Sequence, residues 1–313
     1  MFQKILVATD FSKHAEKIID CVSELPGAKE IVLLHVLAMD PLARVWSPGD
    51  ELKAAAKKLE APKKILEGMG LKVKPRAELA EDLKESAVIQ REAEEENVSL
   101  VVMGARGRGL WEGLLLGSVS TDYLRYGTKD LLIMRYKTID SVDKQDLEKF
   151  CSHIFEKVLC PTDFSLAGNA AIEEVKAKNL TKNVLLLNVV ARVESLEQLE
   201  AEIKSAQEKL EAIKADLVHV GMTVNAVALS AVKGEARTYG SGSMVKVKTT
   251  PFASVGGVVD KILSVAEGED VSLVALGSHG EGWMDQATIG SVVADIARMS
   301  SRPVLVIRSK KKA

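Results

Sequence analysis

Met1-Phe-Gln-Lys-Ile-Leu-Val-Ala-Thr-Asp-Phe-Ser12 returns as Ile154-Phe-Glu-Lys-Val-Leu-Cys-Pro-Thr-Asp-Phe-Ser165, 153 residues further on. In both copies a short apolar run stops at Thr-Asp-Phe-Ser. Ile31-Val-Leu-Leu-His-Val36 matches Val184-Leu-Leu-Leu-Asn-Val189 at the same offset, and Leu71-Lys-Val-Lys74 pairs with Met222-Thr-Val-Asn225 at an offset of 151. One domain has been duplicated. Runs that are apolar on successive residues are buried on both faces, which means a parallel sheet with helices on either side. In the first copy the pattern predicts strands at 3–9, 30–38, 71–77, 98–103 and 130–136, with helices at 12–25, 50–68, 81–96 and 117–127. Ser12 and Ser165 sit where helix N-caps belong. Pro62 should kink or split its helix, whereas the counterpart near 195–220 lacks proline and should run unbroken.

A second repeated motif follows the fourth apolar run. Gly104-x2-Gly107-x9-Gly117-Ser118 recurs as Gly277-x2-Gly280-x9-Gly290-Ser291. Glycines let the chain turn sharply off a strand and approach a ligand closely. The last Gly-Ser then opens a helix whose N–H groups and dipole favour an anion. By this motif the offset has grown to 173, so the second copy carries about 22 extra residues (173 minus 151) between Leu229 and Val258. The boundaries read from the sequence are a first domain over 1–137, a linker over 138–153 and a second domain over 154–313 with an insert at about 232–257. The insert holds Tyr239-Gly-Ser-Gly-Ser243 and an alternating Met244-Val-Lys-Val-Lys-Thr249. It reads as a hairpin flap, or as a lid or partner-docking arm with Lys233, Arg237, Lys246 and Lys248 facing an anion.

Composition narrows the function. The 313 residues carry a net charge of −2 with 47% apolar, 27% charged and 4% aromatic residues. There is no basic excess for nucleic acid or membrane surfaces and few rings for stacking bases. No apolar run approaches the length of a membrane span, and no signal peptide is legible. Cys21, Cys151 and Cys160 cannot all pair and none lies in a Cys-x-x-Cys, which reads as a reduced, cytoplasmic setting. The five histidines show no metal-ligand spacing, and His35 reads as a packed core residue.

These residues resemble the universal stress protein family, here as a tandem pair, over nearly the whole chain apart from the linker and insert. The resemblance implies an α/β fold of two doubly wound domains, each a five-stranded parallel sheet of order 3-2-1-4-5 with helices on both faces, arranged as an intrachain pseudo-dimer through the last strands. A homodimer of chains is a further expectation. The cleft would lie at the C-terminal ends of strands one and four, where the strand order reverses.

For the ligand, the resemblance implies ATP, ADP or AMP, with any Mg²⁺ arriving on the nucleotide. Asp10 and Asp163 would hold the adenosine part, flanked by Ala8 and Thr9 in one copy and Pro161 and Thr162 in the other. As residues alone, these aspartates also read as helix caps. Val36 and Val189 would contribute backbone groups and an apolar wall, and Met103 and Leu276 would line the same pocket. Gly104, Gly107, Gly117, Ser118 and Val119 would hold the phosphates in the first copy, and Gly277, Gly280, Gly290, Ser291 and Val292 in the second. Arg106 and Arg108 add positive charge to the first copy. The second has His279 as a donor but Glu281 and Asp285 nearby, so the first is the better site. No nucleophile–base pair and no Gly-Lys-Ser/Thr loop is legible, which points to regulation with at most slow hydrolysis. Two other classes fit the residues: a nucleotide-independent module acting through a protein partner, and a second domain that binds another small anionic or lipid-like ligand.

Overall fold

A computed structural model describes residues 1–38, 48–81, 84–105, 116–135, 151, 153–191, 195–231, 257–279 and 289–308. The chain divides into two compact units, Met1–Ser152 and His153–Ala313. The first contains β1 (Lys4–Ala8), α1 (Lys13–Cys21), β2 (Glu30–Ala38), α2 (Pro48–Gly68), β3 (Lys72–Ala80), α3 (Glu85–Glu95), β4 (Leu100–Gly104), α4 (Ser118–Tyr126) and β5 (Asp130–Met134). The second contains β6 (Lys157–Pro161), α5 (Leu166–Lys178), β7 (Asn183–Val190), α6 (Leu196–His219), β8 (Thr223–Ser230), α7 (Val258–Gly268), β9 (Leu273–Gly277), α8 (Ser291–Met299) and β10 (Val304–Ile307).

Within the first unit the strand order is β3-β2-β1-β4-β5, with every pair parallel. Within the second it is β8-β7-β6-β9-β10, again parallel. The central strands are buried on successive residues, as in Ile5, Leu6 and Val7 or Ile31 to Leu34. Helices on both faces are needed to cover such strands. On α1, Ala15, Ile18 and Ile19 form the buried stripe at the i, i+3, i+4 spacing that faces a core. In each unit strand order reverses between the first and fourth strands, so a crevice opens at their C-terminal ends.

Two expectations are corrected. The helix containing Pro62 is not split, because α2 continues as one element from Pro48 to Gly68. Pro62 removes one hydrogen bond, but good helix formers surround it and Ala55, Leu59 and Leu66 are buried on one face. That packing outweighs the roughly 3 kcal/mol penalty of an interior proline. The counterpart α6 is one helix, as its lack of proline implies. The second correction concerns the thiols. Cys21 and Cys151 form a disulfide across a sequence separation of 130, which no local spacing announces. Cys160 stays a free thiol in β6, and burial pushes its pKa up to about 12.

A charged cluster closes the end of the first unit opposite the crevice. Lys4 donates to Glu96 at 2.8 Å, Arg76 does so at 3.3 Å, and Lys74 also bonds it. These bonds hold the Glu96 carboxyl well below the ordinary range, at about 2. Burial pushes neighbouring Glu92 the other way. The linker from 138 to 150 and the insert from 232 to 256 lie outside the described residues.

Candidate functional site

Thr-Asp-Phe-Ser folds the same way twice, and each side chain has a task. Thr9 Oγ1 accepts from the Phe11 N–H at 3.2 Å, and Asp10 Oδ1 accepts from the Ser12 N–H at 3.0 Å. Ser12 Oγ then caps α1 by accepting from the Ala15 N–H at 3.2 Å. In the second unit the matching distances are 2.9 Å from Phe164 to Thr162, 3.0 Å from Ser165 to Asp163 and 2.9 Å from Gly168 to Ser165. The cap is therefore the serine, while each aspartate closes a turn two residues long. Phe11 and Phe164 both sit at positive φ, 59° and 67°, a conformation that only a well-braced turn holds.

The two aspartates differ in their surroundings. Asp10 Oδ2 is buried and meets no hydrogen-bond donor among the described residues. Asp163 Oδ1 accepts a second bond, from Ser165 Oγ at 2.6 Å. It fits there because residue 168 is glycine, whose added Cβ would lie 2.1 Å from that oxygen. The matching residue of the first unit is Ala15.

The nine-residue spacing of the glycine motif acquires a physical meaning. Ala105 N–H donates to Met134 O at 2.9 Å, and Gly117 N–H returns to Ala105 O at 2.8 Å. Ser278 and Gly290 repeat this, at 2.9 Å to Ile307 O and 3.0 Å to Ser278 O. The residues on either side of each glycine stretch are thus tied to one another at the tip of β4 or β9. Gly117 and Gly290 are the N-caps of α4 and α8, and neither helix has a side-chain cap bond. Their first-turn N–H groups, on Ser118 and Val119 or Ser291 and Val292, have no acceptor within their own helix, and Ser291 and Val292 lie on the second unit's cavity wall described below. Gly277 serves packing first. An added Cβ would stand 1.7 Å from Ala167 O in α5, so only glycine lets that helix lie on β9. Arg106, Gly107, Arg108 and Gly280 lie outside the described residues.

In the second unit these pieces surround one cavity of ≈ 640 Å³. Pro161, Thr162, Asp163, Val189, Leu276, Gly277, His279, Gly290, Ser291 and Val292 all line it. In the first unit Ala8, Thr9, Asp10, Val36, Met103, Gly104, Gly117, Ser118 and Val119 occupy the matching places, on β1 and the turn after it, on β2 and β4, and at the start of α4.

Some contributors escaped sequence reading. His35 is more than core filling, because its Nδ1 lies 2.8 Å from the Thr9 carbonyl and its ring centroid lies 4.2 Å from that of Phe11 at a 35° tilt. Asn188 occupies the same place in the second unit, donating to Thr162 O at 2.8 Å. A polar residue recurring at one position of two apolar runs was the available signal. Ser278 Oγ lies 2.8 Å from His279 Nδ1, but Ser278 is wholly buried. It orients the imidazole rather than presenting a nucleophile. From α6, Glu202, Ser205, Ala206 and Lys209 also line the cavity, and from α7 Val258 and Ile262. Among the described residues no cluster of His, Cys, Asp and Glu could hold a metal ion, and no helix is long and apolar enough to cross a membrane.

A doubly wound parallel unit with a crevice at its strand-order reversal, present twice in one chain, is a tandem α/β architecture of the ligand-crevice type. The Universal stress protein family model matches residues 1–135 and 155–308, and the chain belongs to that family. It is 28% identical over 184 residues to a universal stress protein of Methanocaldococcus jannaschii, a match that covers 51% of this chain and 98% of the relative. Its fold is similar to the crystal structure of a universal stress protein from Archaeoglobus fulgidus, with TM-score 0.65, 21% identity and coverage of 97% and 98% of the two chains. A putative universal stress protein from Pseudomonas aeruginosa gives TM-score 0.60 at 14% identity, covering 98% of this chain and 93% of the other. At those identities the likeness is one of fold.

Proposed function

We propose that each unit binds an adenine nucleotide, ATP or its ADP or AMP relatives, and that occupancy serves regulation. The observation that carries this reading is the second unit's cavity, whose wall unites a turn carboxylate, an apolar flank and the start of α8. Such a wall offers an acceptor for ribose or base donors, an apolar face for a ring and backbone donors for phosphates. In the first unit the buried Asp10 Oδ2 is an acceptor in want of a donor, which a ribose hydroxyl would supply. Arg106 and Arg108 follow Gly104 in sequence and make the first unit the stronger site. Mg²⁺ would enter bound to the phosphates, held mainly by them.

Mass spectrometry of small molecules released from the denatured purified protein tests the reading. Adenine nucleotide is the expected finding, together with a thermal shift of the empty protein on adding ATP. Gly117→Val should abolish binding at the first site. Protein that carries no nucleotide and shows no shift with ATP would instead support an interaction module. A different anionic or lipid-like molecule would support a distinct ligand in the second unit.

A further inference from the structure

On the wall of the second unit's cavity, Lys209 is the one full positive charge among the described lining residues. The wall also carries Asp163 and Glu202, so without Lys209 it would present only negative charge to an anionic ligand. No ion pair ties Lys209 to a described carboxylate. Its Nζ stands 5.2 Å over the ring of Phe164, the residue after Asp163. Lys58 stands the same way in the first unit, 5.6 Å from the ring of Phe11. Lysine recurs at this point at the 151-residue offset, and so does the glutamate seven residues earlier, Glu51 and Glu202.

A lysine stem lying along an aromatic face is common as mere surface cover. Here the ring belongs to a braced positive-φ turn, so the ammonium has a fixed seat beside the crevice. The glycine bend can supply neutral N–H groups to a phosphate, but the second unit lacks the arginines that follow Gly104 in the first. A polyanion there needs a counter-charge from another element.

We propose that Lys209 is the residue by which the second unit recognises its ligand's negative charge, and that Lys58 plays the same part in the first unit. The ammonium pairs with an anionic group of the nucleotide, and the Phe164 face holds it ready for that contact. This rests on the nucleotide reading of the cavity, and it adds a selectivity for charged over uncharged adenine compounds.

Calorimetric titration with ATP and with adenosine tests it, using the full-length Gly117→Val chain so that only the second site reports. Lys209→Gln should weaken ATP binding roughly ten-fold, as expected for losing one charge-assisted hydrogen bond. Adenosine binding should stay within about two-fold, and Lys209→Arg should restore most of the ATP affinity. Unchanged ATP affinity in Lys209→Gln would overturn the assignment while leaving the nucleotide reading intact. Equal losses for ATP and adenosine would overturn it too, by showing a packing role. A parent chain that binds neither compound would defeat both readings together. Should Gly117→Val not fold, Lys58→Gln combined with Lys209→Gln in the otherwise native chain gives the same comparison at both sites.

Discussion

Asn188 donates its side-chain N–H to the carbonyl of Thr162 across 2.8 Å, both groups being buried. It thereby fixes the end of β7 to the turn that carries Asp163. Asn188→Ala would leave that carbonyl buried without its donor, costing about 1–3 kcal/mol. Asn188→His, copying His35 of the first unit, should recover part of the loss. Equilibrium urea denaturation checks this, and an alanine variant as stable as the native chain would contradict the pinning role.

Gly277→Ala should be far more damaging than its one added methyl suggests. The new Cβ would stand 1.7 Å from Ala167 O, a backbone atom that cannot rotate away. A loss above roughly 3 kcal/mol is expected, in the range of severe overpacking. Gly68→Ala, at the end of α2 with nothing within 4 Å of an added Cβ, is the control and should gain up to about 1 kcal/mol. Thermal denaturation followed by circular dichroism distinguishes the two.

The Glu96 cluster gives stability a defined pH window. The folded carboxyl titrates at about 2 against an ordinary 4.5, so its contribution is complete above pH 4.5 and drains away as pH falls towards 2. The Lys4 pKa is raised above 10.5, first by its bond to Glu96, so that share persists below pH 10.5 and is lost as alkali deprotonates the folded lysine. Glu96→Gln should therefore cost about 1–3 kcal/mol at neutral pH. The gap from the native chain should close as the pH approaches 2. A constant gap between pH 7 and pH 2, measured by urea midpoints, would contradict this account.

The fold was legible because its signals are local and repeated. Strands apolar on successive residues declare a covered parallel sheet, and Ser12 and Ser165 mark helix starts through their own chemistry. Partnerships set by tertiary register were hidden. Nothing near Asn188 in sequence reveals that its partner is a carbonyl 26 residues upstream. Lys209 looks like any solvated helix lysine until the Phe164 turn is placed beneath it. Pro62 misled because a local rule about proline met a buried face that overrode it. Asp10 and Asp163 looked like alternative caps, yet the serine two residues on takes that place and leaves each aspartate to brace the turn.

The bond between Cys21 and Cys151 fastens residue 151 to the end of α1, closing a loop of 130 residues. Closing a loop of that size removes much of the unfolded chain's freedom, worth about 2–5 kcal/mol in measured cases. Reduction, or Cys21→Ser, should lower the unfolding temperature, whereas Cys160→Ser should not act through this route. Thiol counting with a chromogenic reagent makes the pairing itself testable. The folded chain should react hardly at all, because the remaining thiol of Cys160 is buried and its pKa is pushed up to about 12. Unfolding without reductant should expose the single thiol of Cys160, and unfolding after reduction should expose all three cysteines of the sequence. Three reactive thiols in the unreduced, unfolded chain would show that Cys21 and Cys151 are not joined.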